Sequence, residues 1–350
     1  MSTLKKPMVV ALLSCAVLSC GREHHSSNSA QSGQISAQLK TDLGYLGNSR
    51  AQRRFEDYIN NKNSGCTATG PKNRRVLVSG FGPFNRSPNI SGAVVQLLQN
   101  SELWPESAGW STTLRSAPRF TPDDSPGSLG ARAVQRTIRF ENDELELCLV
   151  NTSVEWDLAA AIVMHEANNF RPDFILMTGY GTHPTGMRIE HGAINKTSQL
   201  SGYDPTGRYL TGVNTPESDW IAPPALGLPA TIEMNWNTHT IAHEVAPDFD
   251  RLNRELTHLN KQAGFHPVAM TAADPLNNYV CNNISYAIAA SFRLPSVPLA
   301  GNRIRVQTTL NRRVKFGFAH YPNSINANSP DEVWIWAHMA LALTQATQMN

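Results

Sequence analysis

Apolar and polar residues along the chain follow patterns that predict strands alternating with helices. From Arg74 onward, the runs VLVSGF (76–81), LELCLV (145–150) and FILMTGYG (174–181) have the length and content of buried strands. Helical spacing occupies SGAVVQLLQ (91–99) and DLAAAIVMHEANNF (157–170) between them. This order predicts an α/β fold, a three-layer α/β/α sandwich around a twisted, mostly parallel or mixed sheet.

The second half of the chain continues the alternation after a long irregular stretch. Residues 197–245 are rich in Pro, Gly, Asn, Thr and Trp, which predicts an insertion or lid-like loop with a short helix near 237–245. Further helices are predicted at 248–264, where Gly264 is the expected C-terminal cap, and at 281–292. A strand is predicted at 314–322. The last helix begins at Ser329, because Ser, Pro and Glu stand there in the order of a capping box.

The N-terminal segment has the pattern of an export signal. Two lysines precede PMVVALLSCAVLSC (7–20), an apolar run too short to span a bilayer as a helix. Its end resembles a bacterial lipoprotein box, which implies cleavage before Cys20 and lipidation of that cysteine; Cys15 is a competing site, and ordinary signal cleavage is the alternative. We therefore expect a signal over residues 1–20 and an exported protein in the bacterial cell envelope, whose lipid anchor is its only contact with the membrane.

A polar tether is predicted between that signal and the folded domain. Residues 21–70 are rich in Ser, Asn, Gln and Gly, as flexible spacers are, with a short helix at 51–59. The α/β domain is expected over 71–350. The net charge of +2 comes without a clustered basic surface, so we expect no nucleic-acid partner. The sequence leaves the oligomeric state open.

Cysteine counting leaves at least one free thiol. The chain has five cysteines, and three remain once Cys15 is removed and Cys20 is lipidated. Three is an odd number, so one thiol stays unpaired. Cys66 and Cys148 either pair with each other or stay free.

Cys281 has the position expected of a reactive thiol. It stands at the start of the helix predicted over 281–292, where free amides and the helix dipole favour the thiolate. His320 closes the predicted strand at 314–322 and would emerge at the same edge of the sheet, where it could serve as a base. Glu190 follows the predicted strand FILMTGYG and is a candidate to orient the imidazole.

Four segments together resemble the signature regions of the pyroglutamyl peptidase I (pyrrolidone-carboxylate peptidase) family. They are VLVSGFGPF (76–84), RIEHGAIN (188–195), NNYVCN (277–282) and FGFAHYP (316–322). The resemblance covers about residues 74–346, interrupted by the insertion. It implies an α/β/α fold and a catalytic triad in which Cys281 is the nucleophile, His320 the general base and acid, and Glu190 the group that holds the imidazole.

The same resemblance implies a substrate and a pocket. The substrate would be a peptide or small amide with an N-terminal pyroglutamyl residue, cleaved through an acyl-enzyme without a metal or organic cofactor. Phe81 and Phe84 would form the apolar pocket around the pyrrolidone ring, and Asn89 would supply a polar contact.

Three alternatives stay open at this point. A related cysteine amidase with a different acyl substrate would keep the triad and change the pocket. A non-catalytic surface lipoprotein would use the fold for binding alone. A metal site would use His239 and His243, which share a helix face and are followed by Glu244, although the sequence identifies no third ligand.

Overall fold

The apolar run at 74–81 forms a central strand, β1 (Arg74–Phe81), of a seven-stranded sheet. The computed structural model describes residues 51–60, 65–68, 74–83, 88–100, 131–140, 143–196, 220–270, 279–299 and 304–348. In spatial order the strands of the sheet are β2 (Arg132–Phe140), β3 (Asp143–Thr152), β1, β4 (Phe174–Tyr180), β11 (Lys315–Tyr321), β5 (Gly186–Ile189) and β8 (His266–Ala269).

The middle of this sheet is parallel and its margins are not. Strands β3, β1, β4 and β11 run in one direction, whereas β2 pairs antiparallel with β3, and β5 pairs antiparallel with β11. The carboxyl ends of the four parallel strands therefore meet at one edge, where sites form in open α/β sheets. Two small hairpins complete the strands: β6 (Gly192–Ile194) with β7 (Thr231–Glu233), and β9 (Ser296–Leu299) with β10 (Ile304–Gln307).

Helices flank the sheet in two groups, which confirms the predicted α/β fold. In the first group α2 (Ile90–Asn100) packs on α6 (Pro330–Gln348), and α6 also packs on α4 (Thr238–His258). In the second group α3 (Leu158–Phe170) packs on α5 (Val280–Ser291). A short 3-10 turn, Pro224–Leu226, precedes β7.

The start of α6 agrees with the predicted cap. The Glu332 amide donates to Ser329 Oγ at 3.4 Å, and Pro330 is the first helical residue. The Glu332 carboxylate does not close the box on Ser329; it accepts instead from the amide of Asn326 at 2.9 Å.

The two helices predicted at 237–245 and 248–264 are one helix, α4, so the predicted break is wrong. Pro247 removes one intrahelical hydrogen bond and lies on the exposed side. Buried apolar residues at spacings of three and four continue through it: Ile241, Val245, Phe249, Leu252 and Leu256. The helix also ends earlier than predicted, at His258, since Asn253 Oδ1 draws the amide of Gly264 back at 2.8 Å and makes that glycine part of the following loop.

The folded domain begins before residue 71. Residues 51–60 form helix α1, in which Tyr58 is buried and donates a hydrogen bond to Glu166 of α3 at 2.8 Å. Cys66 forms a disulfide with Cys148 of β3, which resolves the pairing left open by the sequence. Residues 51–60 and 65–68 are therefore packed on the domain and are not part of a tether. The signal, Cys15, Cys20 and the rest of residues 1–50 lie outside the described residues, so export and lipidation stay predictions.

None of the helices in the described part of the chain combines the length and apolar character needed to cross a membrane.

Candidate active site

His320 and Glu190 form a buried pair at the carboxyl end of β11. His320 is the last residue but one of β11, and Glu190 directly follows the antiparallel neighbour β5. The amide of Glu190 donates to the carbonyl of Phe318 at 2.9 Å, which brings the carboxylate beside the imidazole. His320 Nδ1 lies 2.8 Å from Glu190 Oε1, and both side chains are buried. Because a carboxylate only accepts, this bond fixes the proton on Nδ1 and leaves Nε2 for another partner.

Cys281 lies on that side of the ring. It is the second residue of α5 and half-buried, and its thiol is close enough to the His320 ring to raise the pKa of the imidazole. Gly179, which pairs with His320 across β4 and β11, makes room for the sulfur, because a Cβ at residue 179 would lie 2.9 Å from Cys281 Sγ. The structure thus brings together the three residues that the sequence nominated as a triad.

The electrostatics of the trio favour a protonated imidazole. Burial alone lowers the pKa of His320, but the neighbouring Cys281 and Glu190 raise it further than burial lowers it, and the pKa of His320 rises to about 10. A charged imidazole between a thiol and a carboxylate is suited to holding a thiolate and to donating a proton to a departing amine.

Phe81 lies at the same edge of the sheet. It ends β1, is buried, and its amide donates to Ser91 Oγ at 3.0 Å. The parallel register pairs Ser79 with Met177, so two residues further on Phe81 comes level with Gly179 and hence with the catalytic edge. This position is compatible with the predicted pocket wall.

Asn89 has a structural role in the same corner. Its Oδ1 accepts from the amide of Ser91 at 3.1 Å and from Ser91 Oγ at 2.8 Å, which caps the first turn of α2. The network runs from Asn89 through Ser91 to the backbone of Phe81. Substrate contacts of Phe81 and Asn89 stay predictions, and Phe84 lies outside the described residues.

Trp236 holds the main chain of Glu190 and was missed by sequence reasoning. Its indole N–H donates to the Glu190 carbonyl at 2.8 Å, and its ring fills the space over Gly317, where a Cβ would lie 2.0 Å from the indole. The tryptophan belongs to the irregular stretch 197–245, so no periodicity marked it. The sequence feature that comes nearest to predicting Trp236 is Gly317, which lies between two phenylalanines of β11 and leaves room for a large neighbouring side chain.

Residues 229–233 of the predicted insertion lie beside α5. Strand β7 pairs with β6, and the hydroxyl of Tyr286 on α5 donates to the carbonyl of Pro229 at 2.6 Å. These contacts hold residues 229–233 on the flank of α5, the helix that carries Cys281. Residues 197–219 lie outside the described residues.

In the described part of the chain, no third side chain is placed to share a metal ion with His239 and His243. His239 and His243 are exposed on α4. Among the described residues, the side chains that could share an ion are Cys66, Cys148 and Glu166, and the two cysteines are joined in the disulfide. A cavity of about 460 Å³ adjoins His239; its lining includes His191, Trp236 and Lys315 but none of Cys281, His320 and Glu190.

The chain is similar to solved structures of pyroglutamyl peptidases at low sequence identity. Pyroglutamyl peptidase I from Bacillus amyloliquefaciens aligns with a TM-score of 0.45 and 17% identity over 79% of this chain and 94% of that one. Pyrrolidone carboxyl peptidase from Thermococcus litoralis aligns with a TM-score of 0.44 and 11% identity over 79% and 94%. A mutant of the Pyrococcus furiosus enzyme gives 0.42 and 13% over 79% and 98%. No protein-family model matches the chain, and neither does any curated protein sequence.

Proposed function

We propose that this protein is a cysteine peptidase that hydrolyses the amide bond after an N-terminal pyroglutamyl residue. The observation that carries the proposal is the buried Glu190–His320 pair, which presents its imidazole to Cys281 at a helix N-terminus. The choice of substrate rests on the four sequence segments that resemble the pyroglutamyl peptidase I family.

The first half of the reaction forms an acyl-enzyme. The Cys281 thiolate attacks the carbonyl carbon of the pyroglutamyl residue, and the C=O π electrons move to the oxygen. We expect amides of the first turn of α5 to donate hydrogen bonds to that oxyanion. When the intermediate collapses, the C–N bond breaks and His320 gives its proton to the leaving amine. A thioester on Cys281 and a peptide shortened by one residue result.

The second half restores the enzyme. His320, now neutral at Nε2, removes a proton from a water molecule, whose oxygen attacks the thioester. The C–S bond breaks, pyroglutamic acid leaves, and the thiolate and the imidazolium re-form. Glu190 keeps the proton on Nδ1 throughout, so Nε2 is always the nitrogen that exchanges protons.

Phe81 gives the pocket its chemical preference. The pyrrolidone ring is small, flat and uncharged, and an aromatic wall at the catalytic edge favours its burial. An N-terminal glutamate or glutamine in open-chain form carries an ammonium group that such a wall does not compensate. We therefore expect cyclised N-termini to be preferred over open-chain ones.

The decisive test is hydrolysis of a pyroglutamyl coumarin amide by the wild-type protein, Cys281→Ala and Cys281→Ser. Activity in the wild type that both variants lose supports the proposal, and glutamyl and prolyl coumarin amides serve as substrate controls. If the wild type cleaves none of these substrates but Cys281 is alkylated rapidly, the result would favour the alternative, a cysteine amidase with another acyl substrate. A thiol that reacts no faster than free cysteine would contradict both enzymatic assignments.

A further inference from the structure

Asn282, the residue after Cys281, hydrogen-bonds the main chain of residues 194–196 through both the oxygen and the nitrogen of its side-chain amide. Its Oδ1 accepts from the amide of Ile194 at 2.9 Å, and its Nδ2 donates to the carbonyls of Ile194 at 2.8 Å and Lys196 at 3.0 Å. The residue is 1% exposed. Both protons and the oxygen of the amide are therefore engaged, so the side chain has one orientation.

The strand that Asn282 binds is β6, which begins two residues after Glu190. Only three residues separate Glu190 from Ile194 along the chain. Glu190 is thus connected to the start of α5 by two routes: through its hydrogen bond to His320, which contacts Cys281, and through β6, which is bonded to Asn282. The two routes close a ring that contains all three triad residues.

The other flank of the same helical turn is held separately. Asn283 Oδ1 accepts from the amide of Asp157 at 3.0 Å, and Asn283 Nδ2 donates to Asp157 Oδ1 at 2.9 Å. Asp157 directly precedes α3. The two Asn283 bonds therefore fix α5 to α3 and do not involve the segment that carries Glu190. Of the two amides, only that of Asn282 ties the nucleophile to the acid of the triad.

We infer that Asn282 is a positioning residue for catalysis, which sets the separation between Cys281 and the His320–Glu190 pair. This inference rests on the proposed function. Without the Asn282 bonds, the first turn of α5 would lose its direct hydrogen bonds to the segment that follows Glu190, and we expect the thiol to shift relative to the imidazole. Misplacement of a reacting group by about 1 Å lowers the rate by about 100-fold.

The test measures kcat, KM and the iodoacetamide alkylation rate of Cys281 in Asn282→Ala and Asn282→Asp. Alanine removes all three hydrogen bonds. Aspartate keeps the volume and the acceptor for Ile194 but presents an oxygen to two carbonyls. We expect kcat to fall by about 100-fold in both variants, with KM within about three-fold of wild type. Alkylation should slow in parallel, since it depends on the same thiol–imidazole contact.

Gln99→Ala is the matched control for lost packing and lost hydrogen bonds. Gln99 is also a buried amide, on α2, and it donates to the carbonyls of Arg132 and Leu149 at 2.9 and 2.8 Å. We expect Gln99→Ala to lower thermal stability while kcat and the alkylation rate stay at the wild-type values. If Asn282→Asp keeps wild-type kcat and alkylation, or if Gln99→Ala loses both to the same extent, the positioning role is refuted.

Alkylation separates this inference from the proposed function, because the reaction needs no peptide substrate. A wild type that is inactive on pyroglutamyl amides but whose rapid alkylation is lost in both Asn282 variants would overturn the substrate and support the positioning role. If the wild type hydrolyses pyroglutamyl amides and both Asn282 variants do so at the same rate, the proposed function is supported and the positioning role is overturned.

Discussion

The indole nitrogen of Trp236 donates a 2.8 Å hydrogen bond to the carbonyl oxygen of Glu190, the residue whose carboxylate holds His320. The acid of the triad is thereby fixed at its main chain as well as at its side chain. Trp236→Phe keeps most of the ring and leaves a buried carbonyl without its donor, which costs about 1–3 kcal/mol of stability. We expect kcat to fall together with stability, as measured by urea unfolding and by pyroglutamyl amide hydrolysis.

Trp336→Phe is the control for this change. Trp336 of α6 is fully buried against the rings of Phe249, Phe265 and Tyr321, and its Nε1 has no hydrogen-bond partner among the described residues. Its replacement should lower stability through lost packing while kcat of the folded protein is unchanged. Equal effects of the two substitutions on kcat would show that the bond to Glu190 has no catalytic consequence.

Glu190→Gln should abolish most of the activity while the fold persists. A carboxamide can turn its NH₂ group toward His320 Nδ1, which then accepts and moves the imidazole proton to the nitrogen that faces Cys281. In a triad, replacing the orienting carboxylate by its amide lowers kcat by about 10⁴-fold. Steady-state kinetics would show the loss in kcat with little change in KM; a variant within ten-fold of wild type would remove Glu190 from the triad.

The raised pKa of His320 makes stability depend on pH in a defined window. The pKa is about 10 in the folded protein against the ordinary 6.5. Below 6.5 both states bind the proton, so the stabilisation is fully present; between 6.5 and 10 the unfolded chain releases it first, so the free energy of unfolding falls as pH rises. Above 10 the contribution is gone.

Urea unfolding from pH 6 to 10 checks this sign. Wild type should lose stability across the range more steeply than His320→Gln, and the difference between the two proteins isolates the histidine from other groups. Parallel curves would mean that His320 has the same pKa in the folded and unfolded protein, and the raised pKa would have to be abandoned.

Gly179→Ala tests the space that the sheet leaves for the thiol. The added Cβ would lie 2.9 Å from Cys281 Sγ and 2.8 Å from the ring of Phe318. Contacts this short displace one or both groups, so we expect alkylation of Cys281 and kcat to fall by at least ten-fold. Gly82→Ala, where the Cβ would make an ordinary 3.5 Å contact, should retain both. Full activity in Gly179→Ala would contradict the observed packing of the sulfur.

Sequence reasoning recovered the elements whose signals are local. The proposed triad residues stand at strand and helix ends that periodicity predicts, and the residues from Ser329 onward predict the start of α6. Residues that act across the fold were not recoverable in this way. Trp236 and Asn282 gain their roles from backbone groups of Glu190 and Ile194, which are 46 and 88 positions away. The break predicted near Pro247 failed for a related reason, since burial of the apolar face of α4 outweighs one missing hydrogen bond.

The disulfide between Cys66 and Cys148 should contribute to stability and not to catalysis. It joins residues 82 positions apart and fixes the segment after α1 to β3. Replacing both cysteines by alanine should lower the free energy of unfolding by about 2–4 kcal/mol, because the unfolded chain regains the freedom of a long loop. Urea unfolding measures the loss, and limited proteolysis should cut first near residues 51–68. Cys281→Ser, which leaves the disulfide intact, should keep wild-type resistance to proteolysis, and a double variant as stable as wild type would show that the N-terminal segment is held by its packing alone.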